Sequence, residues 1–285
     1  MTMIAKQNIL TLTFVVSILT TCGACGNSSQ QTKNESQIMS IDMSEILTNI
    51  QEPKDTIIYD YTFFPTDSIY ITKVLTTGEF HNDEIWDNVE NEEWFGLFKN
   101  EKGFYLSRTK IKTKNVFDPI LDKENEKTGW EVSTINQDTC LILIESLSCL
   151  SNREVQDFKF VKEYIYPGDT LTFKYLGVDY KLFATGGKEK VQEDSEWFEV
   201  WNYKLYLTAD IKGQKRKSLL VAQPNFDDQM INLIFAGDID GDGILDLIID
   251  TSRHYNVTSP TIYLSKPADN GEIVKPIGGH TSVGC

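Results

Sequence analysis

Four aspartates within nine residues are the side chains of this sequence best suited to chemistry. Asp238, Asp240 and Asp242 alternate, Gly243 follows, and Asp246 ends the stretch. Alternating carboxylates converge on one side when the backbone curls, and glycine permits the sharp turn. Carboxylate oxygens are hard donors, which suit Ca²⁺ better than Zn²⁺. The spacing therefore predicts a calcium site.

The segments around the acidic stretch decide which kind of calcium loop is expected. A helical EF-hand requires glutamate at the twelfth loop position, where this chain has Ile249. Leu233–Ala236 and Leu245–Ile249 are strand-like, so the predicted loop connects two strands. The alternative is an acidic β-turn without an ion, because Asp-Gly is itself a hairpin signal. Mutual repulsion of four carboxylates favours the calcium site.

The order strand, Gly-Asp, DxDxDGxxD, Asp-Leu, strand is similar to the calcium loop of FG-GAP repeats in integrin-type β-propellers and their bacterial relatives. The resemblance implies that calcium is bound through the side chains of Asp238, Asp240, Asp242 and Asp246 and through the backbone carbonyl of Ile244. It covers about twenty of the 285 residues and occurs once. Only the loop, and not a complete propeller, is therefore carried over.

Residues 1–21 are typical of a signal peptide. Lys6 supplies a positive charge, and Ile9–Leu19 is an apolar run shorter than the about 20 residues of a bilayer-spanning helix. The following Leu19-Thr20-Thr21-Cys22 resembles the lipobox of bacterial lipoproteins, in which the cysteine is acylated and becomes the first mature residue. Cys22 is the predicted lipidation site and Cys25 the alternative. An ordinary cleaved signal is the other possibility.

Two regions are expected after the signal peptide, and the second begins with a helix. Residues 22–38 form a lipidated cysteine and a polar, flexible tether. Met39–Gln51 has apolar residues at roughly helical spacing, which predicts one short N-terminal helix. Residues 39–285 as a whole form a β-rich globular region that contains the calcium loop at 238–246, with a possible sub-boundary near residues 150–157.

The body of the chain is expected to be mainly β. Short segments rich in Ile, Val, Tyr, Phe and Thr alternate with turn signals, and Thr170–Thr185 is the clearest hairpin. The expected architecture is a set of antiparallel sheets arranged as a sandwich, a partly closed barrel or a propeller-like blade. The predicted strands include Thr56–Thr62, Phe158–Tyr166, Asn232–Ala236 and Leu245–Asp250.

Cys140 and Cys149 lie close enough in sequence for a disulfide in an exported protein. The alternative is a pair of buried thiols in a core strand. Nothing in the sequence identifies a partner for Cys285.

Trp197 and Trp201 lie four positions apart in a predicted strand, which places both indoles on one face. Such a face can form a ligand surface for a sugar ring or a peptide. The alternative, favoured by the pattern, is a core face packed between two sheets.

Catalytic arrangements are weaker. The histidines are His81, His254 and His280, and a Ser/His/Asp group can be drawn from His254 or His280 with Asp250 and a nearby serine. Neither Gly-x-Ser-x-Gly nor His-Glu-x-x-His occurs in the sequence. An envelope hydrolase that acts on glycans or peptides, with a structural calcium, is therefore only the alternative function.

The charge balance limits the partners. With 42 acidic and 27 basic side chains the formal net charge is −15, which disfavours nucleic acid and a polybasic membrane patch. We therefore expect a lipid-anchored, calcium-binding β protein of the bacterial cell envelope, on the periplasmic or surface face of the outer membrane. Its expected role is binding or structural rather than enzymatic. Its expected partners are calcium, the membrane through the anchor, and a glycan or an envelope protein.

Overall fold

The computed structural model describes residues 57–284. The expected signal peptide, lipidation at Cys22 or Cys25, tether and helix at Met39–Gln51, together with Cys285, lie outside the described residues. Within the described part, the helical segments are two short 3-10 turns, Asp67–Ile69 and Val89–Asn91. No helix among these residues is long and apolar enough to cross a bilayer.

The secondary structure is mainly β, as expected, and residues 57–284 contain eighteen strands. In chain order these are β1 (Val74–Leu75), β2 (Gly78–Phe80), β3 (Trp94–Asn100), β4 (Gly103–Thr109), β5 (Ile111–Val116), β6 (Gly129–Thr134), β7 (Thr139–Glu145), β8 (Arg153–Val155), β9 (Thr170–Tyr175), β10 (Val178–Lys190), β11 (Phe198–Ile211), β12 (Gln214–Asn225), β13 (Asn232–Gly237), β14 (Asp246–Asp250), β15 (Val257–Thr258), β16 (Pro260–Leu264), β17 (Lys275–Gly279) and β18 (Ser282–Val283).

These strands form antiparallel sheets, and no sheet of the described part closes into a barrel. One has five strands in the order β1-β7-β3-β4-β8, and two have four, in the orders β12-β11-β10-β9 and β13-β14-β16-β17. The smaller ones are β2-β6-β5 and β15-β18. The hairpin predicted at Thr170–Thr185 is confirmed as β9 and β10. Leu176 and Gly177 turn it with φ of 43° and 85°, a pair of positive angles typical of tight hairpins.

The sheet β13-β14-β16-β17 is the central layer of a stack. Along β14, Leu247 and Ile249 pack against the β9–β12 sheet, whereas Ile248 between them packs against the five-stranded sheet. On β16, Tyr263 packs against the β9–β12 sheet and Ile262 packs against the five-stranded sheet. Because successive residues of a strand point to opposite faces, both faces of this sheet are buried. Burial on both faces explains why the three residues between the terminal aspartates of β14 are all apolar.

Residues 150–157 do not divide the described part into two independent cores. They contain β8, which pairs with β4, and Asp157 forms a bridge with Gly237 at the end of β13. The chain passes here from the five-stranded sheet towards the β9–β12 sheet, and the central sheet packs against both. The predicted sub-boundary is therefore a crossing between layers of one stack.

Candidate metal centre

The acidic loop, Asp238–Leu245, connects β13 to β14 in the central sheet. Strand pairing sets its ends, since Gly237 pairs with Asp246. Gly241 and Gly243 have φ of 86° and 84°, in the left-handed region that strains residues with side chains. These two glycines permit the tight curl within the loop.

Three of the four predicted aspartates converge. A carboxylate oxygen from each of Asp238, Asp240 and Asp246 lies within 4.8 Å of the others, and all three residues are buried. We call these three residues the aspartate cluster. Asp242 lies outside it, because this residue is exposed and its Oδ1 accepts a hydrogen bond from the backbone N–H of Ile244 over 2.8 Å. The side chain of Ile244 packs against the core beneath the β9–β12 sheet.

Backbone N–H groups hold the cluster carboxylates in place. Oδ2 of Asp246 accepts hydrogen bonds from Ile239 and Asp240 over 2.7 and 3.0 Å. Its Oδ1 accepts one from Ser265 over 2.7 Å. Oδ2 of Asp240 accepts one from Lys266 over 2.9 Å. An ionised carboxylate has about four acceptor sites, so these bonds orient the oxygens of Asp240 and Asp246 and leave lone pairs on both residues for a cation.

Two tyrosines of the neighbouring sheet anchor both ends of the acidic loop. The hydroxyl oxygen of Tyr175 accepts a hydrogen bond from the backbone N–H of Asp238 over 2.8 Å, and that of Tyr180 accepts one from Leu245 over 3.1 Å. Burial raises the pKa of both phenols to about 12. Both hydroxyls are therefore neutral at ordinary pH, and they tie the loop to β9 and β10.

Two basic side chains reach the cluster from other elements. Nη2 of Arg153, on β8, lies 3.2 Å from Oδ2 of Asp238. Nζ of Lys266 donates to the backbone carbonyl of Asp240 and lies 3.4 Å from the carbonyl of Cys149. When all three carboxylates are ionised, these two positive side chains leave the cluster with a net negative charge.

Burial of the cluster raises the pKa values of two of its aspartates. Burial raises the pKa of Asp246 well above its usual range, and the charge of Asp240 raises it further. Burial also raises the pKa of Asp240, although the hydrogen bond from Lys266 opposes the rise. A bound cation reverses this tendency because it favours the ionised carboxylates.

The donor set fits a hard divalent cation. It consists of oxygens, which Ca²⁺ and Mg²⁺ prefer and which Zn²⁺ accepts less readily than nitrogen and sulfur. In residues 57–284 no other group of three or more His, Cys, Asp or Glu side chains is close enough to share an ion. Asp238, Asp240 and Asp246 are therefore the residues that would hold a cation.

Cys140 and Cys149 do not form the predicted disulfide, since both thiols are free. Cys140 packs against the hydrophobic cluster that contains Leu143, and Cys149 packs against the one that contains Ile144. Leu143 and Ile144 are neighbours on β7, so the two clusters lie on opposite faces of the five-stranded sheet. Packing on opposite faces keeps the two sulfur atoms apart.

Trp197 and Trp201 do not form the core face that their spacing favoured. Trp197 directly precedes β11 and is 48% exposed, with its ring 5.8 Å from that of Tyr164. Trp201 is partly buried, and its indole lies across Gly187 of the paired strand β10. Neither tryptophan belongs to a core cluster. Both indoles therefore lie on the outside of the stack, where a ligand surface remains a prediction.

The histidines do not assemble with a serine and an aspartate. His280 is buried, and its Nδ1 and Nε2 lie 2.9 Å from Oγ1 of Thr76 and 2.8 Å from the carbonyl oxygen of Glu84. Both ring nitrogens of His280 thus have hydrogen-bond partners. Nε2 of His254 lies 3.0 Å from Oδ2 of the exposed Asp227. These contacts are those of structural histidines.

Four contributors to the site escaped sequence reasoning: Tyr175, Tyr180, Arg153 and Lys266. Tyr175 and Arg153 contact Asp238 across 63 and 85 positions of the chain, and no local motif marks such contacts. The hairpin at Thr170–Thr185 was predicted, but its pattern did not indicate which loop the hydroxyls of Tyr175 and Tyr180 reach.

Comparison with known proteins gives no relative from which a ligand or a role can be carried over. No protein-family model matches the chain, and no curated protein or solved structure matches it either.

Proposed function

We propose that this chain is an exported, lipid-anchored, calcium-binding β protein of the bacterial cell envelope, with a binding or structural role. The convergence of three buried carboxylates in the acidic loop carries the proposal. Buried like charges are costly unless a cation or a proton compensates them. The oxygen-only donors and the FG-GAP-like spacing support calcium as that cation.

The position of the acidic loop gives the ion a structural role. Asp238, Asp240 and Asp246 would hold the ion, whose charge offsets their mutual repulsion. Tyr175 and Asp238 join the loop to the β9–β12 sheet, and Arg153 joins it to the five-stranded sheet. Ordering the loop therefore stabilises three layers at once. Calcium at 100 times its dissociation constant adds about 2.7 kcal/mol to the free energy of unfolding.

A pair of isosteric variants tests calcium binding at the cluster. Asp246→Asn removes one charge from a completely buried cluster residue, and we expect it to abolish calcium binding in titration calorimetry. Asp250→Asn is the matched control, because Asp250 is also a buried aspartate of β14 but binds the backbone N–H groups of Ser252 and Ser259. Calcium binding that survives in Asp246→Asn, or that is lost equally in both variants, contradicts the proposal.

The envelope location is supported by the N-terminal sequence alone. Lys6, the apolar run Ile9–Leu19 and the lipobox-like Leu19–Cys22 together favour export and acylation. We expect Cys22→Ala to leave an unprocessed or soluble form in detergent partitioning and Cys25→Ala to partition like the wild type. If only Cys25→Ala loses its partitioning into detergent, the lipidated residue is Cys25. If neither variant changes the partitioning, the lipid anchor is refuted.

The alternative function, a hydrolase with a structural calcium, finds little support in the described residues. The closest approach to a catalytic pair is His81 with Asp118, whose Nδ1 and Oδ2 lie 2.6 Å apart. His81 and His280 line one cavity of about 920 Å³, and His254 does not. Since His280 uses both ring nitrogens in hydrogen bonds, this cavity does not present a Ser/His/Asp group.

A further inference from the structure

The outward face of the β9–β12 sheet gathers lysines on a chain whose net charge is −15. Alternate residues of each strand point outward, and their neighbours Leu182, Leu205 and Leu207 are buried in the core. We call this surface the basic face. Its lysines are Lys174 on β9, Lys181 on β10, Lys204 on β11, and Lys215 and Lys217 on β12.

Strand register arranges part of the basic face in two rows that cross the strands. Lys181 pairs with Thr172 on one side and with Thr208 on the other, and Thr208 pairs with Lys217. The second row lies nearer the hairpin turns and holds the pairs Lys174–Asp179 and Asp210–Lys215. Both rows line an open groove of about 790 Å³.

An aromatic pair holds two of the lysines in place. The rings of Phe183 and Tyr206 stack with centroids 5.3 Å apart. Nζ of Lys217 lies 3.8 Å from the centroid of Tyr206, and Nζ of Lys181 lies 5.0 Å from that of Phe183. Cation–π contacts restrict these long side chains, so less conformational entropy is lost when their ammonium groups bind an anion.

Most of the positive charge on the basic face is not neutralised. Lys174 and Lys204 form ion pairs with Asp179 and Asp60. In the part of the chain that the structure describes, Lys181, Lys215 and Lys217 have no carboxylate within ion-pair distance. A concentration of positive charge on an otherwise acidic protein is complementary to an anionic partner and steers its approach.

We propose that the basic face binds a linear polysaccharide that carries carboxylates, with the sugar chain lying across the four strands. Lys181, Lys215 and Lys217 bind carboxylates of the polymer. The hydroxyls of Thr172 and Thr208 form hydrogen bonds with its sugar hydroxyls. The groove crosses three inter-strand spacings, about 14 Å, which is long enough for several contacts with one chain.

The aspartates of the groove distinguish this ligand from other polyanions. Asp179 and Asp210 accept hydrogen bonds from sugar hydroxyls, which the phosphodiester backbone of single-stranded DNA does not offer. The interaction requires neither calcium nor the lipid anchor.

Binding of polygalacturonate by the full chain in detergent tests the proposal. The buffer contains a chelator, so that calcium cannot bridge the polymer to the acidic loop, and a melting curve in that buffer confirms the fold. We expect binding that weakens as salt rises and that falls at least about tenfold in the double variant Lys181→Ala, Lys217→Ala. The control Lys112→Ala, Lys127→Ala removes two exposed lysines outside the face and should keep the wild-type affinity.

Three outcomes contradict the proposal. The first is no binding of polygalacturonate at low salt. The second is an equal loss of affinity in both double variants, which would show that binding depends on the net charge of the protein and not on this face. The third is equally tight binding of phosphatidylglycerol vesicles, poly-glutamate or single-stranded DNA, which assigns the face to another class of polyanion. Calcium titration is a separate measurement, so failure here leaves the calcium proposal untouched.

Discussion

The hydroxyl of Tyr175 connects the acidic loop to the neighbouring sheet by accepting a hydrogen bond from the backbone N–H of Asp238 over 2.8 Å. The same hydroxyl donates to the carbonyl of Gln156 over 2.7 Å. One buried side chain thus joins β9, the segment after β8 and the first residue of the loop. The site depends on this contact, because Asp238 begins the aspartate cluster.

Removing the Tyr175 hydroxyl should loosen the loop without emptying the core. Tyr175→Phe leaves a buried N–H and a buried carbonyl without this partner, which costs about 1–3 kcal/mol. We expect a lower melting temperature and weaker calcium binding. Tyr105→Phe is the control, since it removes a hydrogen bond to Asp138 in the five-stranded sheet, away from the loop. Equal calcium affinities of Tyr175→Phe and the wild type would show that the Tyr175 hydroxyl does not organise the metal site.

The cluster aspartates and Asp242 should respond differently to the same substitution. Asp240→Asn removes a buried charge from the cluster and should abolish the rise in melting temperature with calcium. Asp242→Asn changes an exposed residue whose carboxylate caps Ile244, so most of the calcium response should remain. Thermal melting with calcium and with chelator measures both. If Asp242→Asn loses more of the calcium-dependent rise in melting temperature than Asp240→Asn does, Asp242 is a ligand, as the sequence predicted.

Arg153 competes with the ion for Asp238. Arg153→Gln removes a positive charge 3.2 Å from a carboxylate of the cluster, so we expect calcium affinity to rise severalfold and the calcium-free protein to melt at a lower temperature. Arg108→Gln is the control, because Arg108 pairs with Glu93 on the exposed surface. Unchanged calcium affinity in Arg153→Gln would show that the guanidinium does not act on the ion.

The calcium effect should grow with pH. In the calcium-free protein the pKa of Asp246, and that of Asp240, lie above their usual value of 3.8. Groups with raised folded-state pKa values stabilise the fold below the unfolded value and lose that contribution as pH rises through the folded value. The melting temperature in chelator should therefore fall as the pH rises above about 4, and calcium should restore it. A calcium effect that is largest in acid would be inconsistent with carboxylate ligands.

The sequence predicted what is local. Asn232–Ala236 and Leu245–Asp250 were predicted as strands and are β13 and β14, because periodicity and the Asp-Gly turn act within a few residues. The aspartates of the loop were found for the same reason. Spacing alone did not show that the carboxylate of Asp242 caps Ile244 while those of the aspartate cluster converge. The role of Asp242 as a ligand stays a prediction.

Two strand predictions fail because tertiary contacts replace strand pairing. Phe158–Tyr166 is not a strand, although Phe158 and Phe160 both pack against Phe173 of β9. The backbone N–H of Phe158 bonds instead to the carbonyl of Ala236. Residues 57–62 also form no strand, and Asp60 there binds Lys204. A segment rich in aromatic residues is predicted to be buried, but its composition does not show which groups its backbone forms hydrogen bonds with.

The sequence did not reveal the basic face, because the net charge is summed over the whole chain. A net charge of −15 argued against nucleic acid and a polybasic membrane patch, yet the alternation of β9, β10, β11 and β12 sorts five lysines to one side of the sheet. The pairing that aligns Lys181 with Lys217 through Thr208 depends on the register of three strands. Register of this kind is set by turns and packing across the whole sheet.

Thermal melting of the full chain with about 1 mM calcium, with magnesium and with chelator tests the central claim most directly. We expect calcium to raise the melting temperature by several degrees, magnesium to raise it less because it dehydrates reluctantly, and elemental analysis to find calcium in the purified protein. Identical melting curves in calcium and in chelator, with no ion in the purified protein, would contradict the account and leave the acidic loop as a turn.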